Sequence, residues 1–425
     1  MTASTGSVGG AKIARAAPRR VLIIVENLPV PFDRRVWSEA TTLKAAGYDV
    51  SIICPKGVDA QESYVEIDGI HIYRHPLPLE ARGALAYPVE YASVLLFEFY
   101  LTWRIFLTRG FDVIQACNPP DTIFLIAAFF RLFGKRFVFD HHDINPELYE
   151  AKFGRRDFFY RVLVWLERMT FRTADIAIAT NQSYRRIAIT RGGMKPENVF
   201  VVRSGPNLKR LQCVAPRPEW RKGRQFLVGY VGVIGQQEGI DLLLEAVAHV
   251  VKIKGRNDIQ FAVVGGGPEL EPLQAAADAM GIADFVTFTG RVPDAVLLDV
   301  LSTSDVCVNP DRVNAMNDKS TMNKIMEYMA LGKPIVQFEL TEGRYSAQEA
   351  SLYARPNDPE DFAAKMLELL DDPDRRREMG EYGKRRVTEE LSWEHEAPKL
   401  LAAYDAVFGA SVAHSVDAPT KAKAG

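Results

Sequence analysis

Short, almost wholly apolar runs alternate along this chain with stretches whose apolar positions recur every three or four residues. In the first half, RRVLIIVEN (19–27) predicts a buried strand, VWSEATTLKAAG (36–47) an amphipathic helix closed by Gly47, and YDVSIICP (48–55) the next strand. The pattern continues through FDVIQACNPPD (111–121), a helix over IFLIAAFFRLFG and the strand KRFVFDHHD (135–143). A long helix around 155–173, the strand ADIAIATN (174–181), a helix over 182–191 and NVFVVRSG (198–205) follow. Strands that are apolar throughout, alternating with helices, imply a parallel sheet covered on both faces.

The pattern pauses at PNLKRLQCVAPRPEWRKGRQ (206–225), which is rich in proline and basic residues and has no period. That is the composition of a linker. Alternation restarts at FLVGYVG (226–232) and runs through IDLLLEAVAHVVKI, IQFAVVGGG, FVTFTGR, DVCVNP, PIVQFEL and SLYARP. The expectation is an α/β protein of two doubly wound parallel-sheet domains in series, 19–205 and 226–385. Residues 1–18 and 409–425 are small and polar and read as a disordered leader and tail. Ligands of such sheets bind beyond the carboxyl ends of the strands, so two facing sheets make a cleft.

Composition narrows the class. The 425 residues are 47% hydrophobic and 25% charged, ordinary for a globular protein, with a net charge of −2. A slight basic excess in the first half and an acidic one in the second argue against nucleic acid as a partner. No stretch offers the ~20 uninterrupted apolar residues that span a bilayer. Cys54, Cys117, Cys213 and Cys307 are scattered through mostly apolar runs, as reduced thiols of a cytoplasmic protein are. No metal-ligand spacing is evident, and three adjacent residues such as His141-His142-Asp143 rarely converge on one ion, so no metal is expected.

The strand-to-helix turns carry the polar chemistry. ENLPVPFDRR (26–35) holds Asp33 beside two arginines, and DHHDINPE (140–147) ends a strand with His142. GVIGQQEG (232–239), with Gly235, and GGGPE (265–269), with Gly266, are glycine-rich turns whose N–H groups suit a phosphate; glycines that merely make tight turns read the same way. In TMNKIMEYMALGKPIV (321–336), Asn323 and Lys324 open a helix that Ser320 or Thr321 can cap, and Glu327 lies one turn on. Lys324 could hold diphosphate oxygens while Glu327 accepts from sugar hydroxyls. An ordinary i,i+3 ion pair between them accounts equally well for the spacing.

Taken together, PFDRRVWSEATTLKAAGYDVSIICP, FVFDHHD, ADIAIATN, VVRSGPN, VGYVGVIG, VVGGGPEL, VTFTGRVPDAVLLDVLSTSDVCVNP and NKIMEYMALGKPIV resemble the bacterial family 4 (group 1) glycosyltransferases of surface polysaccharide assembly, over roughly residues 20–408. The resemblance implies the GT-B fold, two Rossmann-like domains facing across a cleft, with 386–408 returning to the first. It implies a retaining transferase that needs no cofactor or metal. Its donor is a nucleotide-diphosphate sugar and its acceptor a glycan or a polyprenyl-diphosphate-linked glycan. By position, Glu327 matches the second acid of the E-x7-E motif, at the ribose; Arg291 and Val292 match the loop that holds the base. His142 matches the histidine at the cleft edge, and Asp33 lies in the loop beneath the diphosphate.

Three departures stand out. The first acid of E-x7-E falls at Lys319, with Asp318 beside it. The Arg and Lys that many relatives carry after the first strand of the second domain fall near Val233 and Glu238. The glycine pair of the first-domain loop is missing, with Phe32-Asp33 in its neighbourhood. Neutralising the leaving diphosphate then passes to Lys324, with Arg203 and Arg344 as further candidates. His142, Lys324 and Asp33 are the expected catalytic groups, acting by electrostatics and positioning. Rival readings are a sugar-nucleotide epimerase on the same scaffold, and a non-catalytic binder of sugar nucleotides.

Two first-domain segments, 84–110 and 152–172, are unusually apolar and aromatic. The second sets Lys152, Arg155, Arg156, Arg161, Arg168 and Arg172 among Phe158, Phe159, Tyr160 and Trp165, a composition suited to an anionic membrane surface at the inner face of the membrane. Packing on the sheet with arginines in water is the other reading, and Glu98, Glu150 and Glu167 dilute the positive charge.

Overall fold

The computed structural model describes residues 18–57, 59–76 and 87–409. The expected leader and tail lie almost wholly outside them. One sheet contains β1 (Arg20–Val25), β2 (Asp49–Pro55), β3 (Tyr64–Ile67), β4 (Ile70–His75), β5 (Val113–Cys117), β6 (Arg136–His141), β7 (Ile176–Ala179) and β8 (Val199–Val201). Its order is β3-β4-β2-β1-β5-β6-β7-β8, and β3 alone runs antiparallel to its neighbour. A second sheet contains β9 (Phe226–Val231), β10 (Ile259–Val264), β11 (Val286–Gly290), β12 (Val306–Asn309), β13 (Ile335–Phe338) and β14 (Ser351–Ala354). Its order is β11-β10-β9-β12-β13-β14, parallel throughout. Strand order reverses between β1 and β5 and between β9 and β12, which puts a ligand crevice at the carboxyl end of each sheet.

Alternation along each strand sends side chains to opposite faces, and in the central strands both faces are buried; the edge strand β3 exposes one. In β1, Val21, Ile23 and Val25 join one core with Val36, Ala40 and Leu43, while Leu22 and Ile24 join another with Ile105, Ile123 and Phe130. Full burial of such a side chain contributes roughly 1.5–3 kcal/mol, which explains why β1 is apolar on both faces after Arg20. The helix Trp393–Val407 returns to the first sheet: Leu400, Ala403, Tyr404 and Val407 pack into the β1 core. Trp393 Nε1 donates to Thr42 Oγ1 at 2.9 Å, and Tyr404 Oη donates to Gln115 Oε1 at 2.5 Å.

Two elements escape the sequence pattern. The β3–β4 hairpin turns on Asp68 and Gly69, at φ of 52° and 73°, the left-handed pair that a two-residue hairpin requires. The helix Tyr87–Thr108 fills most of the segment marked above only as apolar and aromatic. Among the described residues no helix is long and apolar enough to cross a membrane.

Candidate active site

The helix Asn323–Ala330 leaves its N-terminus open. Its N-cap is Met322, with no side-chain hydrogen bond, so neither Ser320 nor Thr321 caps it. Ser320 Oγ instead donates to Met316 O at 2.9 Å, and Thr321 Oγ1 accepts from Asn181 Nδ2 at 3.0 Å and Arg203 Nη1 at 3.4 Å, both on the first-sheet side. Asn323 is exposed on the first turn. Unsatisfied N–H groups there suit an anion.

Lys324 and Glu327 each find partners elsewhere. Lys324 Nζ donates to Asp311 Oδ1 at 2.7 Å and lies 4.9 Å from the centre of the Tyr230 ring. Its stem crosses Gly232, where an added Cβ would stand 3.3 Å from Lys324 Cε. Lys324 therefore reaches the turn after β9, close to the place where the expected Arg and Lys are replaced by Val233 and Glu238. Burial raises the Asp311 carboxyl above its ordinary range against the opposing charge of Lys324, and burial likewise raises Glu238.

Glu327 meets cations from outside its own sheet. Arg34 Nη1 donates to Glu327 Oε1 at 3.2 Å and Arg210 Nη2 donates to the same oxygen at 2.5 Å. The same two arginines bind Asp294, Arg34 at 2.8 Å and Arg210 at 3.1 Å. Two cations and two carboxylates thus form one cluster across the cleft.

The glycine turns divide. A Cβ at Gly265 (φ 143°) would stand 1.8 Å from Gly232 O, and one at Gly267 would stand 2.3 Å from Ile234 O. Close approach of the two turns accounts for both glycines. Gly266 has no such constraint and adjoins Arg291, whose backbone nitrogen is 3.7 Å from the position of a Cβ there. Arg291 is exposed and Val292 half-buried. At Gly235, an added Cβ would meet Glu238 Oε2 at 2.8 Å, so that turn has its own carboxylate against it.

On the first sheet, Asp33 caps the helix Arg34–Ala45 by accepting from Val36 N at 3.0 Å. That structural duty was not foreseen for a catalytic candidate. His142 follows β6, with Nε2 2.7 Å from Asp140 Oδ2 and 3.0 Å from Arg35 Nε. One nitrogen cannot donate to the first and accept from the second, and the shorter contact to a charged oxygen favours N–H donation to Asp140. Burial opposes charge on His142, but Asp140 outweighs it and raises the imidazole above its ordinary value. Burial also opposes charge on Asp140, yet Arg35 and His142 hold it well below the carboxylate range. Arg35 Nη2 stands 2.8 Å from Asp140 Oδ1 and 3.1 Å from Glu39 Oε1; Gln115 Nε2 donates to Glu39 Oε2 at 2.6 Å and Asp140 Oδ2 at 3.1 Å. Cys117, Asp140 and His142 have ligand atoms close enough for an ion, but Arg35 already fills the need for positive charge there.

Arg203 serves the contact between the two sheets' domains, while Arg344 and Asp318 find partners within the second. Arg203 Nη2 donates to Glu342 Oε2 at 3.1 Å, beneath the Tyr345 ring at 4.1 Å, and is buried. Glu342 also takes Ser183 Oγ at 2.8 Å. Arg344 pairs with Glu339 at 2.8 Å and covers the Tyr353 ring. Asp318 Oδ1 accepts from Thr341 N at 2.8 Å, and Lys319 pairs with Glu147 at 3.1 Å. Arg203 and Asp318 are thus spoken for. The sequence reading overlooked Arg210, Asp294, Glu39 and Glu342, and quoted Arg34 and Arg35 without a role; the doubled arginine after Asp33 was the available signal.

Comparison with known proteins gives this constellation a setting. Residues 33–210 match glycosyltransferase family 4, and residues 225–372 match the glycosyl transferases group 1. The chain is 24% identical over 404 residues to the MMP alpha-(1->4)-mannosyltransferase of Mycolicibacterium hassiacum, covering 85% of this chain and 91% of that one. It shares the fold of sucrose-phosphate synthase from Thermosynechococcus elongatus, with TM-score 0.75 and 20% identity over 92% of this chain and 100% of that one. It also shares the fold of HepE from Anabaena, solved in complex with UDP-glucose, with TM-score 0.68 and 15% identity over 91% and 99% of the two chains.

Proposed function

Because the chain belongs to the family 4, group 1 glycosyltransferases and has their GT-B fold, we propose that it moves a sugar, with retention, from a nucleotide-diphosphate sugar to a glycan or lipid-linked glycan in surface polysaccharide assembly. The observation that carries this reading is the uncapped helix Asn323–Ala330. It presents Lys324 and Glu327 to the cleft, each matched to a group outside its own helix rather than to the other. Glu327 accepts ribose hydroxyls once the donor displaces Arg34 and Arg210. Those arginines, with Lys324, supply the positive charge that Val233 and Glu238 do not, and stabilise the diphosphate as the glycosidic bond breaks. His142, oriented by Asp140, bounds the acceptor side; Gly266 and Arg291 lie toward the base. The reaction as proposed draws on no cofactor or metal.

A non-catalytic nucleotide binder is the second reading, favoured by the absence of the Arg and Lys at Val233 and Glu238 and of the first acid at Lys319. Incubation with a panel of nucleotide sugars and a polyprenyl-diphosphate-linked acceptor separates the readings. Release of nucleoside diphosphate with an acceptor one sugar heavier is expected. Binding without turnover would favour the binder, and an isomerised donor without acceptor would favour an epimerase.

The acceptor's lipid anchor gives weight to a peripheral membrane contact. Phe158, Phe159 and Trp165 are 71%, 57% and 55% exposed, and Lys152, Arg155, Arg156, Arg161, Arg168 and Arg172 are exposed among them. Glu98 and Glu167 are fully buried, so they do not dilute this face as the composition suggests.

A further inference from the structure

We propose that Glu26, His75 and Glu98 form a binding site for a divalent transition-metal ion of the zinc class. Glu26 follows β1, His75 ends β4, and Glu98 projects from the helix Tyr87–Thr108; their ligand atoms all lie within 4.8 Å of one another.

The hydrogen-bonding of each group suits a role in binding a cation. His75 Nδ1 lies 3.0 Å from Pro76 O, and a carbonyl oxygen only accepts, so Nδ1 carries the proton. In the neutral ring Nε2 is a lone pair, held 3.0 Å from Glu26 Oε2, and among the described residues neither atom is in a hydrogen bond. Two lone pairs at that distance repel unless a proton or a metal ion lies between them, and a metal ion would satisfy Glu98 as well. Glu98 is fully buried, and among the described residues neither of its oxygens has a hydrogen-bond partner. A buried carboxylate without a donor is costly and is found protonated or on a metal.

One imidazole nitrogen and two carboxylates make a donor set for zinc, with water completing the shell. The Nδ1–H bond to Pro76 O is the outer contact that typically fixes the tautomer of a ligating histidine. Ligands on one zinc ion stand about 4 Å apart at most, so the three groups need to close by less than about an ångström. The position suggests a purpose. Glu26 opens the loop that carries Asp33, Arg34 and Arg35, and the ion would fasten this loop to β4 and to the helix Tyr87–Thr108.

The test is zinc titration of the full chain, stripped with chelator, against a chromogenic competitor, with elemental analysis. One equivalent per chain is expected, together with a rise in thermal midpoint. Glu98→Gln and His75→Gln should weaken binding more than about tenfold and abolish that rise. Failure of the wild type to bind one equivalent would overturn the proposal, as would binding that survives both substitutions. If Glu98 is simply a neutral acid, Glu98→Gln leaves the zinc response unchanged, and that result overturns the three-ligand site too. Should either variant not fold, the cobalt(II) form of the wild type decides. A spectrum of nitrogen and oxygen ligation supports the site, and that of the hydrated ion or of sulfur ligation overturns it.

Discussion

Arg34 and Glu327 are 293 residues apart in the chain and 3.2 Å apart in the fold, joining the first-sheet loop to the helix of the second. Arg34 is 53% exposed, so the pair contributes at most about 1 kcal/mol and a ligand can displace it. Arg34→Ala should therefore leave stability within about 0.5 kcal/mol of wild type while loosening the cleft. Small-angle scattering should give a larger radius for the donor-free variant than for wild type. Equal radii would mean that Arg203–Glu342 and Lys319–Glu147 hold the domains together unaided.

Lys324 should matter more to turnover than to binding, because charge on the diphosphate grows as the bond breaks. Removing Lys324 alone leaves Asp311 buried without its partner, so the clean variant is Lys324→Met with Asp311→Asn. A fall in kcat of about a hundredfold or more is expected, with KM nearly unchanged. A higher KM at constant kcat would restrict Lys324 to binding.

His142 gives a pH signature. Its folded-state pKa is raised by Asp140 against the opposing effect of burial, so its contribution to stability is complete below the ordinary histidine value of about 6.5 and is lost as pH rises through the folded value. Thermal midpoints should fall over that window in the wild type and change less in His142→Gln. A variant with the wild-type slope would show that another group carries it.

The exposed aromatic and basic face should bind anionic vesicles at low salt and release them at high salt. Flotation with anionic and with neutral liposomes measures this. Reversal of Arg155 and Arg156 should weaken binding several-fold, since both are exposed with only local partners. No binding to anionic lipid at low salt would remove the membrane from the account.

The strands were legible because parallel strands buried on both faces are apolar throughout: Val21 to Val25 could be read as β1 without any partner in view. The helix at 323–330 was legible from its period. Its electrostatics were not, because the i,i+3 spacing of Lys324 and Glu327 fits a mutual pair, and only the fold brings Asp311 to one and Arg34 and Arg210 to the other. The structural contacts of Asp33 and Arg203 were hidden for the same reason. A cap and an interdomain tie look like active-site charges when only their neighbours in sequence are seen. Glu26, His75 and Glu98, far apart in the chain, have no spacing to notice; the alignment of β1 and β4 beneath a helix brings them together.

Calorimetric titration of nucleoside diphosphates into wild type and Glu327→Ala tests the central claim most directly, that the cleft helix Asn323–Ala330 holds the donor nucleotide. Glu327 is 15% exposed and lies outside the core, so the variant should fold. Its affinity should fall by about 1–3 kcal/mol, the worth of a hydrogen bond to a charged group. Unchanged affinity in a folded variant would contradict the account.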